Sequence, residues 1–179
     1  FREAVELAYF GAKVIHPKTI KPLQNKRIPL RVKSFVHPQQ PGTRIDDESP
    51  RAAEDANGAT PPVFILKENQ WLLSVSPKDF SFIVEKNLSK IFGLLSAHQV
   101  SVNLMQHGAI SFSVCVDAMP RRLPALLGDL RKDFEVVYNY GLTLVTIRHY
   151  TDAAIERMTQ GKRVLVQQLS RKTARFVLS

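Results

Sequence analysis

Residues 71–117, WLLSVSPKDFSFIVEKNLSKIFGLLSAHQVSVNLMQHGAISFSVCVD, decide the fold. Leu88, Ile91, Phe92, Leu95 and His98 recur at the 3-4-3 spacing of one helical face, while Lys86, Asn87, Ser89, Lys90 and Ser96 fill the other. Beyond that helix, Val100, Val102 and Leu104 alternate with Ser101, Asn103 and Met105. Ile110, Phe112, Val114 and Val116 then alternate with Ser111, Ser113 and Cys115. Two runs of period two separated by Gln106–Ala109 predict a hairpin. A strand from Trp71, a covering helix and a returning hairpin make half of a ferredoxin-like βαββαβ unit.

The chain on the C-terminal side completes that unit and starts another. Leu123, Leu126, Leu127, Leu130 and Phe134 predict a second amphipathic helix after Pro120, and Val136–Tyr138 supply a closing strand. Leu142–Ile147 then reads as a strand. Thr151 is placed to cap a helix from Asp152 to about Gly161, and Val164–Val166 and Ala174–Leu178 read as strands. This is an internal repeat at roughly 70 residues that lacks one strand. Val63–Leu66, left over before the first unit, is the candidate to supply it.

On the N-terminal side, Arg2–Phe10 predicts a short helix stopped by Gly11. Lys18–Asn25 reads as a further helical turn or two limited by Pro22, Ile28–Phe35 as a strand, and His37–Thr43 as a proline- and glycine-rich loop. Residues 46–62, DDESPRAAEDANGATPP, are acidic, small and without apolar periodicity, and are expected to be a linker. The expected division is 1–45, linker 46–62, a strand at 63–67, a first unit at 68–139 and the remainder of a second at 140–179. The chain starts at Phe1, within a predicted helix, and is expected to be a piece of a longer protein.

Composition narrows the function classes. The 179 residues are 44% hydrophobic and 23% charged, and no apolar run approaches the roughly 18 residues of a membrane span. One cysteine, Cys115, excludes an internal disulfide framework and a cysteine metal cluster, and fits a reducing cytoplasm. The net charge of +9 raises nucleic acid as a partner. Its distribution argues otherwise. Residues 1–45 carry nine basic and two acidic groups, residues 46–62 one and five, residues 63–139 eight and seven, and residues 140–179 seven and two. The central unit is nearly neutral, and no aromatic residues interleave with basic ones as a stacking platform needs.

No catalytic constellation is legible. There is no glycine-rich phosphate loop, no Ser-His-Asp arrangement and no metal-spaced histidine set; His98 and His107 are isolated, and His16 before Pro17 suits a structural hydrogen bond. Lys13, in a Gly-Ala-Lys-Val-Ile-His-Pro turn, is of the type that meets a phosphate. The end of the first strand, the start of the first helix and Val102–Asn103 are expected to converge, offering backbone groups to a small zwitterion, with Asn103 orienting it.

The stretch FGAKVIHPKTIKPLQNKRIPLRVKSF, followed by PGTRI, resembles the end of the amino-acid kinase domain of aspartate kinases, and LSKIFGLLSAHQVSVNLMQHGAISFSVCVD resembles their first ACT domain. The resemblance implies an α+β fold: two interleaved ferredoxin-like ACT domains behind a remnant of an α/β kinase domain, with Val63–Leu66 pairing within Leu142–Leu178. It implies a regulatory region that senses an end-product amino acid, lysine or threonine, and a homodimer formed through ACT sheets. By the same resemblance Lys13 and Val14 match ATP-contacting positions, with ATP and Mg²⁺ belonging to the full-length enzyme and none expected here. Asn87, Leu88, Ser101, Val102, Asn103, Gly108 and Ala109 match effector-contacting positions. Lysine-inhibited members usually carry Asp at the place of Asn103 and a Ser-Glu pair at Gly108–Ala109, which leaves lysine, threonine, another amino acid or no ligand open. Most of the catalytic domain is missing, so no kinase activity is expected. A bifunctional kinase–dehydrogenase parent and a basic nucleic-acid-binding module are the alternatives.

Overall fold

Two strands of 15 residues each, lying side by side, carry the architecture. The computed structural model describes residues 1–12, 15–47 and 60–179. Lys13, Val14 and the greater part of the expected linker therefore lie outside the described residues. The elements are α1 (Arg2–Phe10), α2 (Pro17–Asn25), β1 (Leu30–Val32), β2 (Thr43–Ile45), β3 (Val63–Pro77), α3 (Glu85–Ala97), β4 (Val102–His107), β5 (Phe112–Asp117), α4 (Leu123–Asp133), β6 (Phe134–Arg148), α5 (Asp152–Thr159), β7 (Val164–Leu169) and β8 (Thr173–Leu178). β4-β5-β3-β6-β8-β7 form one antiparallel sheet.

Val63–Leu66 and the strand through Trp71 are thus one strand, and Val136–Tyr138 and Leu142–Ile147 are another. The reason the sequence reads each as two lies in the bulges. The β3–β6 register shifts between Lys67 and Gln70 and again by Leu72, opposite Asn139–Leu142. Asn69 (φ 56°) and Gly141 (φ 68°) take left-handed backbone there. An inserted residue reverses the alternation. Leu73, Val75 and Val136 face α3 and α4, while Phe64, Val145 and Ile147 face α5. Because both strands are bulged at one level, the helix-covered face stays the same face from end to end. Val63–Lys67 pairs with Leu144–Arg148, within the 142–178 span expected to receive it.

The opposite face has its own core: Leu72, Leu104, Cys115, Leu142, Leu144, Val166 and Val177 come from all six strands. The edge strands β4 and β7 contribute to the same cluster, so the sheet curls around it, with α3 and α4 outside one half and α5 outside the other. Burial of Ile91, Leu126, Leu130 and Val114 beneath the first pair of helices, each at 0–1% exposure, contributes roughly 1.5–3 kcal/mol per side chain.

Several boundaries differ from the sequence reading. The strand expected over Ile28–Phe35 is reduced to Leu30–Val32, and Phe35 is 99% exposed. Its partner is Thr43–Ile45, partly in the expected loop, where Gly42 (φ 68°) places the position of a Cβ only 2.3 Å from Val32 O. α2 runs through Pro22, and its N-cap is His16, whose Nδ1 accepts from Lys18 N at 3.2 Å. Phe92 is not on the buried face of α3; it meets Phe112 edge-on from the rim. Ile110 sits in the turn before β5, half exposed.

The N-terminal segment docks on the second half of the sheet. Arg148 Nε and Nη2 donate to the two carboxylate oxygens of Glu3 at 2.9 Å each, Nη2 lies 2.6 Å from Glu6, and Nη1 donates to Thr173. Burial works to raise the Glu3 pKa, but hydrogen bonds and charge from Arg148 and then His149 outweigh it and hold the carboxyl below its ordinary value. α1 ends at Gly11 (φ 118°), whose Cβ position falls 2.8 Å from Lys67 Cε, so the chain passes close against β3 there.

Candidate functional site

Inside the curl, at the end facing α1, six polar side chains from five strands meet. Asn103 on β4 is at the centre. Its Oδ1 accepts from Lys67 Nζ at 2.9 Å, and its Nδ2 donates to Gln70 Oε1 at 2.8 Å and Asp117 Oδ1 at 3.0 Å. Gln70, 1% exposed, donates to the same Asp117 oxygen at 2.8 Å and to Glu68 O, and the Cys115 thiol lies 3.6 Å from its Oε1. Arg175 Nη2 donates to Asn103 O at 2.7 Å and its Nε to Thr146 Oγ1 at 3.3 Å, with the guanidinium over the Phe10 ring at 5.0 Å. Burial pushes the Arg175 pKa below its ordinary value, and drives the Cys115 thiol up to about 12. The donors and acceptors satisfy one another, as a buried polar group requires. A cleft of about 690 Å³ opens beside this cluster, between Ala8, Gly11, Ala12, Ile15 and His16 on one side and Leu66, Lys67, Glu68, Gln70 and Asp117 on the other.

Lys67, Gln70, Asp117, Thr146 and Arg175 escaped the sequence reading. They are 108 positions apart at the extremes, and each is a lone polar residue on a different strand or at a bulge. The available signal was that Asp117 and Arg175 fall at inward-facing positions of otherwise apolar strands.

A second group lies at the other end of β4. Gly108 N donates to Ser111 O at 2.8 Å, closing the turn, and Ala109 O accepts from Ile83 N at 3.0 Å. Asn87 Oδ1 accepts from Val84 N at 3.1 Å at the start of α3, and His107 Nε2 lies 3.3 Å from Ile83 O. Leu88 packs on the first core. Apolar side chains crowd this end: Phe80, Phe82, Val84 and Ile110 are all exposed.

The expected convergence of the helix start with Val102–Asn103 is therefore corrected. β4 runs parallel to β3, with Val102 level with Trp71 and His107 level with Val75. Asn87, Leu88, Gly108 and Ala109 come together, whereas Ser101, Val102 and Asn103 sit at the opposite end, five residues and roughly 17 Å away. Nor is Asn103 a free strand-end residue: it occupies a bulge between Val102 and Leu104, and its amide is consumed within the curl. Ser101 is exposed and Val102 packs on the first core. Lys13 and Val14, the expected ATP positions, lie outside the described residues. Among the described residues, no group of three His, Cys, Asp or Glu side chains is placed to hold a metal ion, and no helix is long and apolar enough to cross a membrane.

No protein-family model matches the chain. Curated relatives do. The chain is 32% identical over 117 residues to "Aspartokinase 1, chloroplastic" of Arabidopsis thaliana, covering 65% of this chain and 20% of that protein. It is 32% identical over 121 residues to "Lysine-sensitive aspartokinase 3" of Escherichia coli, covering 65% and 24%. It is 34% identical over 114 residues to "Bifunctional aspartokinase/homoserine dehydrogenase" of Haemophilus influenzae, covering 64% and 13%. The chain thus spans about a quarter or less of the length of these relatives. Among solved structures, Clostridium acetobutylicum aspartate kinase superposes with TM-score 0.79 at 18% identity, covering 99% of this chain and 44% of that one. E. coli aspartokinase III in complex with lysine and aspartate (T-state) gives 0.71 at 24%, covering 98% and 41%. A C-terminal regulatory domain of aspartate kinase from Porphyromonas gingivalis gives 0.56 at 15%, covering 66% and 86%. The homologues of this chain are aspartokinases, and its fold is that of their regulatory ACT region.

Proposed function

We propose that this chain, with aspartokinases as its homologues, is the C-terminal regulatory region of such an enzyme, in which residues 63–67 and 140–179 form one ACT domain and residues 68–139 the other. It senses an end-product amino acid of the aspartate pathway, lysine or threonine, in a cytoplasmic enzyme. The observation that carries this reading is the placement of the two effector-matching groups at opposite ends of the edge strand β4. A second copy pairing antiparallel along β4, about the Leu104–Met105 midpoint, sets Ser101–Asn103 of one chain beside the Gly108–Ala109 turn and α3 start of its partner. The halves separated by roughly 17 Å within one chain then close on each other across a two-fold axis. Met105 on β4 and Ile110 in the turn that follows it are exposed apolar residues at the same edge. Gln168 Nε2 holds the carbonyl of Met105, and that contact yields when the strands pair.

The likeness to a lysine-complexed enzyme supports an amino-acid effector, and the carboxylate absent at Asn103 weakens an ammonium contact by about 1.5–3 kcal/mol relative to an Asp-bearing site. An effector bound at the dimer edge shifts the parent enzyme between states that differ in their affinity for it. ATP and Mg²⁺ belong to the catalytic part of the parent protein; no phosphoryl-transfer step is assigned to this chain. The bifunctional relative favours one variant of this reading, a region joined to a homoserine dehydrogenase, which the length of the parent gene beyond Ser179 decides.

Sedimentation velocity on the wild type and Met105→Pro tests the arrangement. A proline removes the N–H and stiffens the edge where pairing is centred. A wild-type dimer that becomes a folded monomer, with loss of amino-acid binding, supports the proposal. A folded variant that stays dimeric refutes this edge as the interface.

A further inference from the structure

We infer that Lys67 and Arg175 tie the Asn103 end of the edge strand to the N-terminal segment, so that ligand occupancy at Ser101–Asn103 and docking of residues 8–12 bias one another. This rests on the proposed effector role of that strand end, and names how the site is read out.

Each cation bridges two places. Lys67 donates to the Asn103 side chain at 2.9 Å, while its aliphatic stem lies under Gly11, whose Cβ position falls 2.8 Å from Cε and 3.6 Å from Cγ. Arg175 donates to the Asn103 carbonyl at 2.7 Å, while its guanidinium stacks over Phe10, the last residue of α1. Among the described residues neither cation forms an ion pair. Their charges are met by Asn103, by the Thr146 hydroxyl and by the Phe10 ring.

That arrangement makes both ends interdependent. A half-buried guanidinium or ammonium that loses its acceptor must find another or be rehydrated. The turn at Gly11 fits against Lys67 only while the stem lies flat; a lysine released from Asn103 can rise into the space the turn occupies. Rotation of the Asn103 amide, or a shift of the bulged backbone at Val102–Leu104, changes both contacts at once. The bulge supplies the room for such a shift, since its residues are not locked in regular pairing. By reciprocity, whatever undocks α1 loosens Asn103 to the same free-energy extent.

The test uses the full chain and amide hydrogen exchange at Gly11 and Ala12, whose N–H groups close α1 on Ala8 O and Leu7 O at 3.2 and 2.9 Å. Variants are Asn103→Ala, Lys67→Met, which keeps the stem but removes the charge, and their combination. Amides of β5 serve as the check that the sheet stays intact; Lys67→Met, the milder change, carries the test if Asn103→Ala disrupts it. Each single change is expected to raise exchange at Gly11 and Ala12 by on the order of 10-fold, the equivalent of one lost charged hydrogen bond, with the double variant no faster than the faster single one. Unchanged exchange in Lys67→Met, or effects that multiply in the double variant, overturns the inference. Titration with lysine, threonine and methionine separates the two readings. If none binds, the effector site fails, and the relay is judged on the ligand-free exchange alone. If one binds and shifts Gly11 and Ala12 equally in wild type and Lys67→Met, the relay is overturned and the site stands.

Discussion

Changing Asn103 to Asp introduces a near-isosteric side chain at the centre of the polar cluster, and the structure gives the cost. The Oδ1 side is improved: the Lys67 ammonium, 2.9 Å away, now meets a charge. The Nδ2 side is reversed, because an oxygen now faces Asp117 Oδ1 at 3.0 Å and Gln70 Oε1 at 2.8 Å. At an effective dielectric of about 20, attraction at 2.9 Å and repulsion at 3.0 Å are each about 5–6 kcal/mol and nearly cancel. What remains is the loss of two donors, one to a carboxylate and one to an amide, about 2–4 kcal/mol together. Turning the Gln70 amide to serve the new oxygen would strip Asp117 of its remaining donor, so local repacking does not recover the loss. Protonation of the introduced carboxyl gives back a donor toward Asp117 Oδ1, so the folded state accommodates the protonated form better than the ionised one. The carboxyl's stabilising contribution is therefore full at low pH and lost as pH rises. Urea denaturation at pH 7.5 should show a midpoint lowered by roughly 1–2 M, taking a slope of about 2 kcal/mol/M, and the deficit should shrink at pH 5. Equal midpoints for the variant and wild type at both pH values would refute the geometry assigned to Asn103.

Four further outcomes can be measured. Arg148→Met removes the cation shared by Glu3 and Glu6 and leaves them only His149 and the exposed Arg2; discounted for the exposure of both carboxylates, the loss is about 1–2 kcal/mol and should appear as faster exchange of α1 amides with the sheet intact. Because the folded pKa of Glu3 is depressed, that docking is fully present above the unfolded value of 4.5 and weakens as pH falls below it; unchanged α1 exchange on acidification of the wild type contradicts this. Cys115, 0% exposed and with its thiol pushed up to about 12, should resist a thiol reagent at pH 8 until the protein is unfolded, and prompt labelling of the native chain would place it elsewhere than the inner core. Incubated with ATP, Mg²⁺ and aspartate, this chain is expected to form no acyl phosphate; measurable transfer would overturn the expectation of inactivity.

The elements were legible where one period dominates. α3, α4 and β5 follow from the spacing of Leu88, Ile91 and Leu95, of Leu123, Leu126 and Leu130, and of Phe112, Val114 and Val116, because these residues all face one core; the alternation expected through Val100, Val102 and Leu104 breaks at the Asn103 bulge, which turns Leu104 into the second core. The two long strands were not legible as continuous, because bulges at Asn69 and Gly141 reverse the alternation midway and imitate a loop. The hairpin of β1 and β2 was half legible: three residues per strand give too little alternation to mark Thr43–Ile45. Within the site, the Gly108–Ala109 turn and the Asn87 cap were recoverable locally. The cluster around Asn103 was not, since Lys67, Gln70, Asp117 and Arg175 meet only when the sheet curls. Family likeness pointed to Asn103 as a ligand contact; the structure shows that its side chain is already committed to Lys67, Gln70 and Asp117 within the curl, and its main-chain carbonyl to Arg175 on β8.

The most direct measurement of the central claim is calorimetric titration of this chain with lysine, threonine and methionine, with the molecular mass followed by sedimentation through the same titration. Saturable binding of one of these amino acids, at one site per chain on a dimer, is expected. A dimer, or a monomer, that takes up none of the three at millimolar concentrations would contradict it.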